Sequence, residues 1–306
     1  MIAVAATIAV SVGIGIGLER RLGPPVNRTA RALLTTMLFT VLPFVTFFNI
    51  VRLQITPDVG GGILLAYVAL ALTALTAGVT ARRGLHLRPP STGAVVNASI
   101  LANTGYLGLP LTVALLGGDR LAEAVAYDSL VGGPVLLVAG FAVGAGFGES
   151  AGARRRDRVR AFLARNPPLI AAVAALLAPD AAAPEALVHA SRTLVLVMLP
   201  VGFLAVGAIL ASEADAEKLT WPPAITPPVG FSLAARLLVA PALLVALSAP
   251  LIDLPAPYLL LAAMPSGINS VTVAHVYGLD LAISAAAVAW STAIVVAAGL
   301  VAVAVL

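Results

Sequence analysis

Asn103 and Asn269 each stand inside a stretch that would otherwise read as apolar helix. A carboxamide donates and accepts hydrogen bonds at once, so two of them suit a carboxylate. The structural alternative is that each asparagine caps a helix end. Their surroundings favour a shared site. The first segment reads Asn103-Thr104-Gly105-Tyr106-Leu107-Gly108-Leu109-Pro110, and the second Met264-Pro265-Ser266-Gly267-Ile268-Asn269-Ser270. Pro110 and Pro265 remove a backbone donor and clash with the preceding turn. Gly105, Gly108 and Gly267 permit close crossing or unusual backbone angles. Thr104, Tyr106 and Ser266 add hydroxyls, and with the two asparagines and two prolines they complete the expected contact set for a ligand.

Both segments interrupt helices that have the composition of membrane spans. In lipid every backbone N–H and C=O needs a partner, so unwound chain at that depth must be buried or line a cavity. Paired breaks in two halves of a chain point to a transporter's binding site. Each break ends one half-helix and begins another. The beginnings, expected near Pro110 and Ser266, offer free amides and partial positive charge. Two such ends converging favour an anion. The facing carbonyls could hold a proton-linked group or a small cation.

Two charges fall well inside expected spans, away from their ends: Asp128 and Arg236. Burying a charge in a membrane costs at least a few kcal/mol, so an ionisable residue there is a functional candidate by default. Asp128 could carry a coupling proton or a sodium ion. Arg236 could pair with Asp128, attract the anion, or donate to unwound carbonyls. For both, the structural alternative is a fixed pair or a snorkelling side chain. No other cofactor is expected. Asn49 reads as a helix–helix hydrogen bond, and His275 as a residue near a span end. Asn27-Arg28-Thr29 and Asn97-Ala98-Ser99 match the glycosylation pattern by chance, one cytoplasmic and one intramembrane.

The elements that must position these residues follow from composition. The chain has 306 residues, 60% hydrophobic and 10% charged, with a mean hydropathy of +1.03. A soluble domain carries roughly 25% charged residues, so this is a membrane protein. It has no cysteine, which excludes disulfides, zinc–thiolate sites and thiol nucleophiles. Ile2 to Leu18 lacks a basic segment before it and a cleavage site after it, and reads as a first span rather than a signal peptide. At about 20 apolar residues per crossing, ten spans are expected near 1–18, 32–51, 59–80, 91–117, 121–147, 166–178, 187–211, 224–248, 256–277 and 280–305.

The basic residues set the orientation. With the N-terminus outside, 14 of the 18 fall in cytoplasmic loops, including Arg82, Arg83, Arg88, Arg154, Arg155, Arg156 and Lys218. This is the pattern of the positive-inside rule, and it places both termini outside the cytoplasm. The pI of about 10.0 reflects those loops rather than nucleic-acid binding. The chain divides into residues 1–147, a basic cytoplasmic linker at 148–165 that could also meet anionic lipid, and residues 166–306. Leu42-Pro43 echoes Leu199-Pro200, and Thr112-Val113-Ala114 echoes Thr272-Val273-Ala274. An odd number of spans per half inverts the second half relative to the first.

These residues resemble the auxin efflux carrier family in its compact prokaryotic form. The resemblance rests on Asn103, Gly105, Gly108 and Pro110, on Met264-Pro265-Ser266, Asn269, Ala274 and Tyr277-Gly278-Leu279-Asp280, and on the short basic linker. It implies an all-α polytopic membrane protein of ten helices, in two inverted five-helix repeats crossing at broken helices 4 and 9. It also implies elevator-type alternating access for a small organic anion such as a carboxylate. Plant members carry a long central loop that this chain lacks, which puts auxin itself in doubt. A plasma-membrane location is expected, with the bilayer and the anion as partners and a homodimer left open.

The alternatives are a sodium-coupled organic-anion symporter and a cation/proton antiporter on the same scaffold. Such antiporters place acidic residues beside the crossing, and neither break segment contains one. An enzyme is not expected: no paired-acid, zinc-protease, serine-elbow or phosphate-loop motif occurs.

Overall fold

The structure, a computed structural model, describes residues 2–148, 167–216 and 222–305. The expected linker beyond Gly148, with its arginines, and Lys218 lie outside the described residues. The described chain is helical throughout apart from its connections. α1 covers Ile2–Leu22, α2 Pro24–Ile50 and α3 Pro57–Gly84. α4 (Pro89–Ile100) and α5 (Thr104–Leu116) are two halves of one interrupted element. α6 runs over 121–147, α7 is Pro167–Leu177 and α8 is Glu185–Ala216. α9 is Pro227–Ser248, α10 (Ala256–Ala262) and α11 (Asn269–Tyr277) form the second interrupted element, and α12 is Leu281–Val305.

Proline opens most of these helices. A first-turn proline costs little, because its missing N–H would have had no intrahelical partner. Pro24-Pro25 therefore starts α2 well before the expected position 32. Pro57, Pro89, Pro167, Pro227 and Pro257 act alike in their helices. At α3, Thr56 also caps: its hydroxyl accepts from the Val59 amide at 3.2 Å. Gly278, with φ of 68°, closes α11 in the left-handed region that glycine enters without strain.

Among the described residues, five helices hold stretches long and apolar enough to cross a membrane: α2, α3, α8, α9 and α12. At 11 residues α7 is too short to do so alone. Several turns widen to i→i+5 closure, including Thr104–Gly108, Asp128–Gly132 and Ala235–Val239. Such turns concentrate at functional sites, and here one holds Thr104, one Asp128 and one Arg236.

The helices pack in two groups. α1, α2, α7 and α8 form one, and α3 to α6 with α9 to α12 form the other. In the first, Gly15 lies against the Leu204 carbonyl and Gly207 against the backbone of Val12, so α1 and α8 touch main chain to main chain. Asn49 donates to Ser191 Oγ at 2.9 Å across the same group, the helix–helix bond expected from sequence. Asn97 is fully buried and donates to the Gly140 carbonyl. His275 is exposed.

The second group is built around the two interruptions, which meet. Ala102 and Ser266 form an antiparallel bridge. The Asn103 amide donates to the Pro265 carbonyl at 2.8 Å, and the Gly267 amide to the Leu101 carbonyl at 2.7 Å. A Cβ on Gly267 would lie 3.0 Å from the Ala102 carbonyl oxygen and 3.2 Å from its carbon. We therefore expect Gly267→Ala to destabilise the protein by about 1–3 kcal/mol through overpacking. Gly60→Ala, where a Cβ meets nothing within 4 Å, serves as the control. Apparent melting temperature in detergent is the readout, and equal values for the two variants would show that the strands do not approach this closely.

Candidate functional site

Stopping a helix inside a low-dielectric bundle exposes carbonyls at one end and amides at the next beginning. The crossing meets this demand in three ways. The two strand-like backbone bonds pair part of the unwound chain. Ser266, fully buried, donates through its hydroxyl to the Ala98 carbonyl at 2.6 Å, while its amide donates to Ser291 Oγ at 3.0 Å. Arg236 then serves both incoming half-helices. Its Nη1 donates to the Ser99 and Ile100 carbonyls at 3.4 Å, at the end of α4, and its Nη2 donates to the Ala262 carbonyl, at the end of α10. The residue is 1% exposed.

Of the three roles open to Arg236, this is the donation to carbonyls. It forms no ion pair with Asp128 among the described residues. Asp128 instead accepts from the Thr104 hydroxyl, so the first break is tied to α6 through a carboxylate. Glycines make room for this contact. A Cβ on Gly132 would come within 2.7 Å of Thr104 Oγ1, and one on Gly105 within 3.4 Å of Asp128 Oδ1.

The outgoing half-helices begin elsewhere than Pro110 and Ser266. The first starts at Thr104, because the glycine-rich segment continues as a wide turn whose first return bond is the Gly108 amide to the Asn103 carbonyl, 3.1 Å. Pro110 lies one turn inside it and is buried. The second starts at Asn269, since Ser266 is held in the bridge. There the amides of Ser270, Val271 and Thr272 already donate back to Gly267 and Ile268.

Asn103 and Asn269 line one cavity of about 120 Å³ at the crossing. Neither carboxamide caps its helix, and neither makes a side-chain hydrogen bond among the described residues. Both keep their donors and acceptors for whatever enters. Thr104, Gly105, Tyr106, Asp128, Arg236 and Gly267 share the wall, whereas Gly108, Pro110, Pro265 and Ser266 do not. Gly108 instead packs against Leu261 and Met264. The Tyr106 hydroxyl reaches the Leu34 carbonyl of α2 at 3.1 Å and ties the wall to the other helix group.

Several wall residues were not anticipated. Tyr127 and Ser129 flank Asp128, and their position beside an intramembrane charge was a usable signal. Leu42, Leu70, Val135 and Pro168 are apolar, and nothing in an apolar chain separates wall from lipid face. One expectation is corrected. Neither break contains an acidic residue, yet Asp128 is brought against the first break from a helix of its own, so the absence of a local acid does not count against an antiporter.

Residues 159–302 match the sequence model of a family described as membrane transport protein, of the auxin efflux carrier type. Over that stretch the chain is similar to this transport family. No curated protein matches the chain. The family is one of transporters, not enzymes. The matched stretch holds Arg236 and the second break; the first break and Asp128 join it through the contacts above.

The Thr104–Asp128 contact is open to a direct test. Thr104→Val would leave the carboxylate without its hydroxyl donor, at a cost of about 1–3 kcal/mol. Asp128→Asn keeps an acceptor for Thr104 and should cost less. The order of the two melting temperatures is the test, and a Thr104→Val variant more stable than Asp128→Asn would contradict the recorded bond.

Proposed function

We propose that the protein is a secondary active transporter that moves a small organic anion, such as a carboxylate, by alternating access. One observation carries this reading: two carboxamides with all their hydrogen-bonding capacity free face one cavity where two interrupted helices cross. A carboxylate with two acceptor oxygens complements their amide donors. The amide ends at Thr104 and Asn269 add partial positive charge. Arg236 occupies the incoming carbonyls, which would otherwise repel an anion.

The proposal extends to architecture. Counting each interrupted pair as one crossing yields ten, in two inverted five-helix halves, within the plasma membrane and with both termini outside the cytoplasm. On this reading the group holding the crossing moves past α1, α2, α7 and α8 in an elevator-type cycle, since the cavity wall draws on both groups. Asp128 carries the coupling proton. An anion and a proton entering together leave the net charge of the cavity unchanged, which lowers the cost of bringing either to membrane depth. The second reading, a sodium-coupled symporter or a cation/proton antiporter, is favoured by the placement of Asp128 against the first break.

Asn103→Ala and Asn269→Ala should each reduce uptake of a carboxylate substrate into vesicles by at least about tenfold, with expression and monodispersity kept. Unchanged uptake in both variants would refute the assigned contacts. Asp128→Asn should abolish accumulation driven by a pH gradient. Uptake that follows a sodium gradient and ignores the pH gradient would favour the symporter, while cation exchange without carboxylate flux would favour the antiporter.

A further inference from the structure

Four half-helix ends meet at the cavity, and they carry opposite signs. α4 and α10 arrive with carbonyl ends, while α5 and α11 leave with amide ends, each worth at most about half an elementary charge. Left alone, these would roughly cancel, and the cavity would have little reason to prefer an anion. The amide ends are also partly engaged already, since three amides of α11 donate back to Gly267 and Ile268.

Arg236 breaks this balance. Its guanidinium lies on the carbonyl ends of both α4 and α10, is almost completely buried, and contributes to the cavity wall. It therefore places a full positive charge on the two negative ends. Its Nε–H has no hydrogen-bond partner among the described residues, although the atom is buried. An unpaired buried donor is costly and calls for an explanation. The one acidic side chain on the wall, Asp128, is engaged by Thr104 and leaves Arg236 without an ion-pair partner among the described residues.

We propose that Arg236 is the specificity-determining residue for substrate charge: it cancels the carbonyl ends of the two incoming half-helices and so makes the cavity select an anion over a neutral molecule of the same shape. The assignment rests on the anion reading of the site. It differs from a purely structural clamp, because a clamp would fix the geometry without altering preference between charged and uncharged ligands. It also differs from direct contact by the asparagines, which can bind an amide as readily as a carboxylate.

The test uses full-length wild type, Arg236→Lys and Arg236→Gln, each checked for monodispersity. Each is titrated with benzoate and with benzamide, its uncharged isostere, and thermal stabilisation gives the ratio of the two affinities. Both variants should melt lower than wild type, because neither ammonium nor carboxamide reproduces the guanidinium fork across two helix ends. The preference for benzoate should be kept in Arg236→Lys and fall by about tenfold in Arg236→Gln. A folded Arg236→Gln with the wild-type preference would overturn the assignment. So would a folded Arg236→Lys that loses it, and this second comparison stands even if the glutamine variant does not fold. A wild type that binds the two probes equally, or neither, overturns the anion reading and takes this assignment with it.

Discussion

The structure depends on how peptide groups are paired where two helices stop inside a bundle. Lipid supplies no hydrogen bonds, so each unwound residue must find its partner in the protein. Two backbone bonds between the broken segments, the buried Ser266, and the guanidinium of Arg236 supply them. Arg236 is the part without a substitute among these. A planar fork with five donors can reach two separate helix ends at once, which the single donor centre of lysine cannot. It is also a cation placed where helix carbonyls carry partial negative charge, so the usual cost of burying a charge is offset by the ends it neutralises.

This arrangement makes the two kinds of helix end unequal in function. The carbonyl ends are closed by a fixed side chain, and the amide ends remain beside the cavity with the free carboxamides. The two breaks are also unequal with each other. Each receives a side chain from the helix that follows it, at separations of 24 and 25 residues: Asp128 to Thr104 in the first, Ser291 to Ser266 in the second. The chemistry differs, because one half supplies a carboxylate and the other a hydroxyl. Only the first break is joined in this way to a side chain that can ionise, and that difference underlies the proposed coupling at Asp128.

Much of this was legible in the sequence, for physical reasons that also explain the rest. Glycine, proline and asparagine in apolar segments are strong local punctuation, so the breaks could be placed to within a few residues. Asp128 and Arg236 stood out because charge is expensive in a span. The starts of the outgoing halves were misplaced in opposite directions. Thr104–Gly108 keeps turning despite two glycines, while Ser266 is held extended by a bridge to Ala102 that no local pattern encodes. The choice among three roles for Arg236 required knowing that α4 and α10 end beside one another. The apolar wall was hidden, since a leucine facing lipid and a leucine facing a cavity look the same in a sequence.

The join between the two helix groups bears on the proposed cycle. Polar links across it are sparse among the described residues: the Tyr106 hydroxyl to Leu34, Thr46 with Ser129 at 3.1 Å, and Arg192 with Asp119 at 2.9 Å. The ion pair lies at an exposed end, where such pairs contribute little. By contrast, Arg236, Asp128 and the backbone bridge between the breaks bond within one group, so no buried charge would need to be uncovered if that group slid past the other. A ligand held by Asn103 and Asn269 would travel with this group, while Leu42 and Pro168 would be left behind with the other. Displacement would then exchange one part of the cavity wall and break the Tyr106 and Ser129 links, while the ligand's contacts to Asn103 and Asn269 stay intact, which is the division of labour an elevator-type carrier requires.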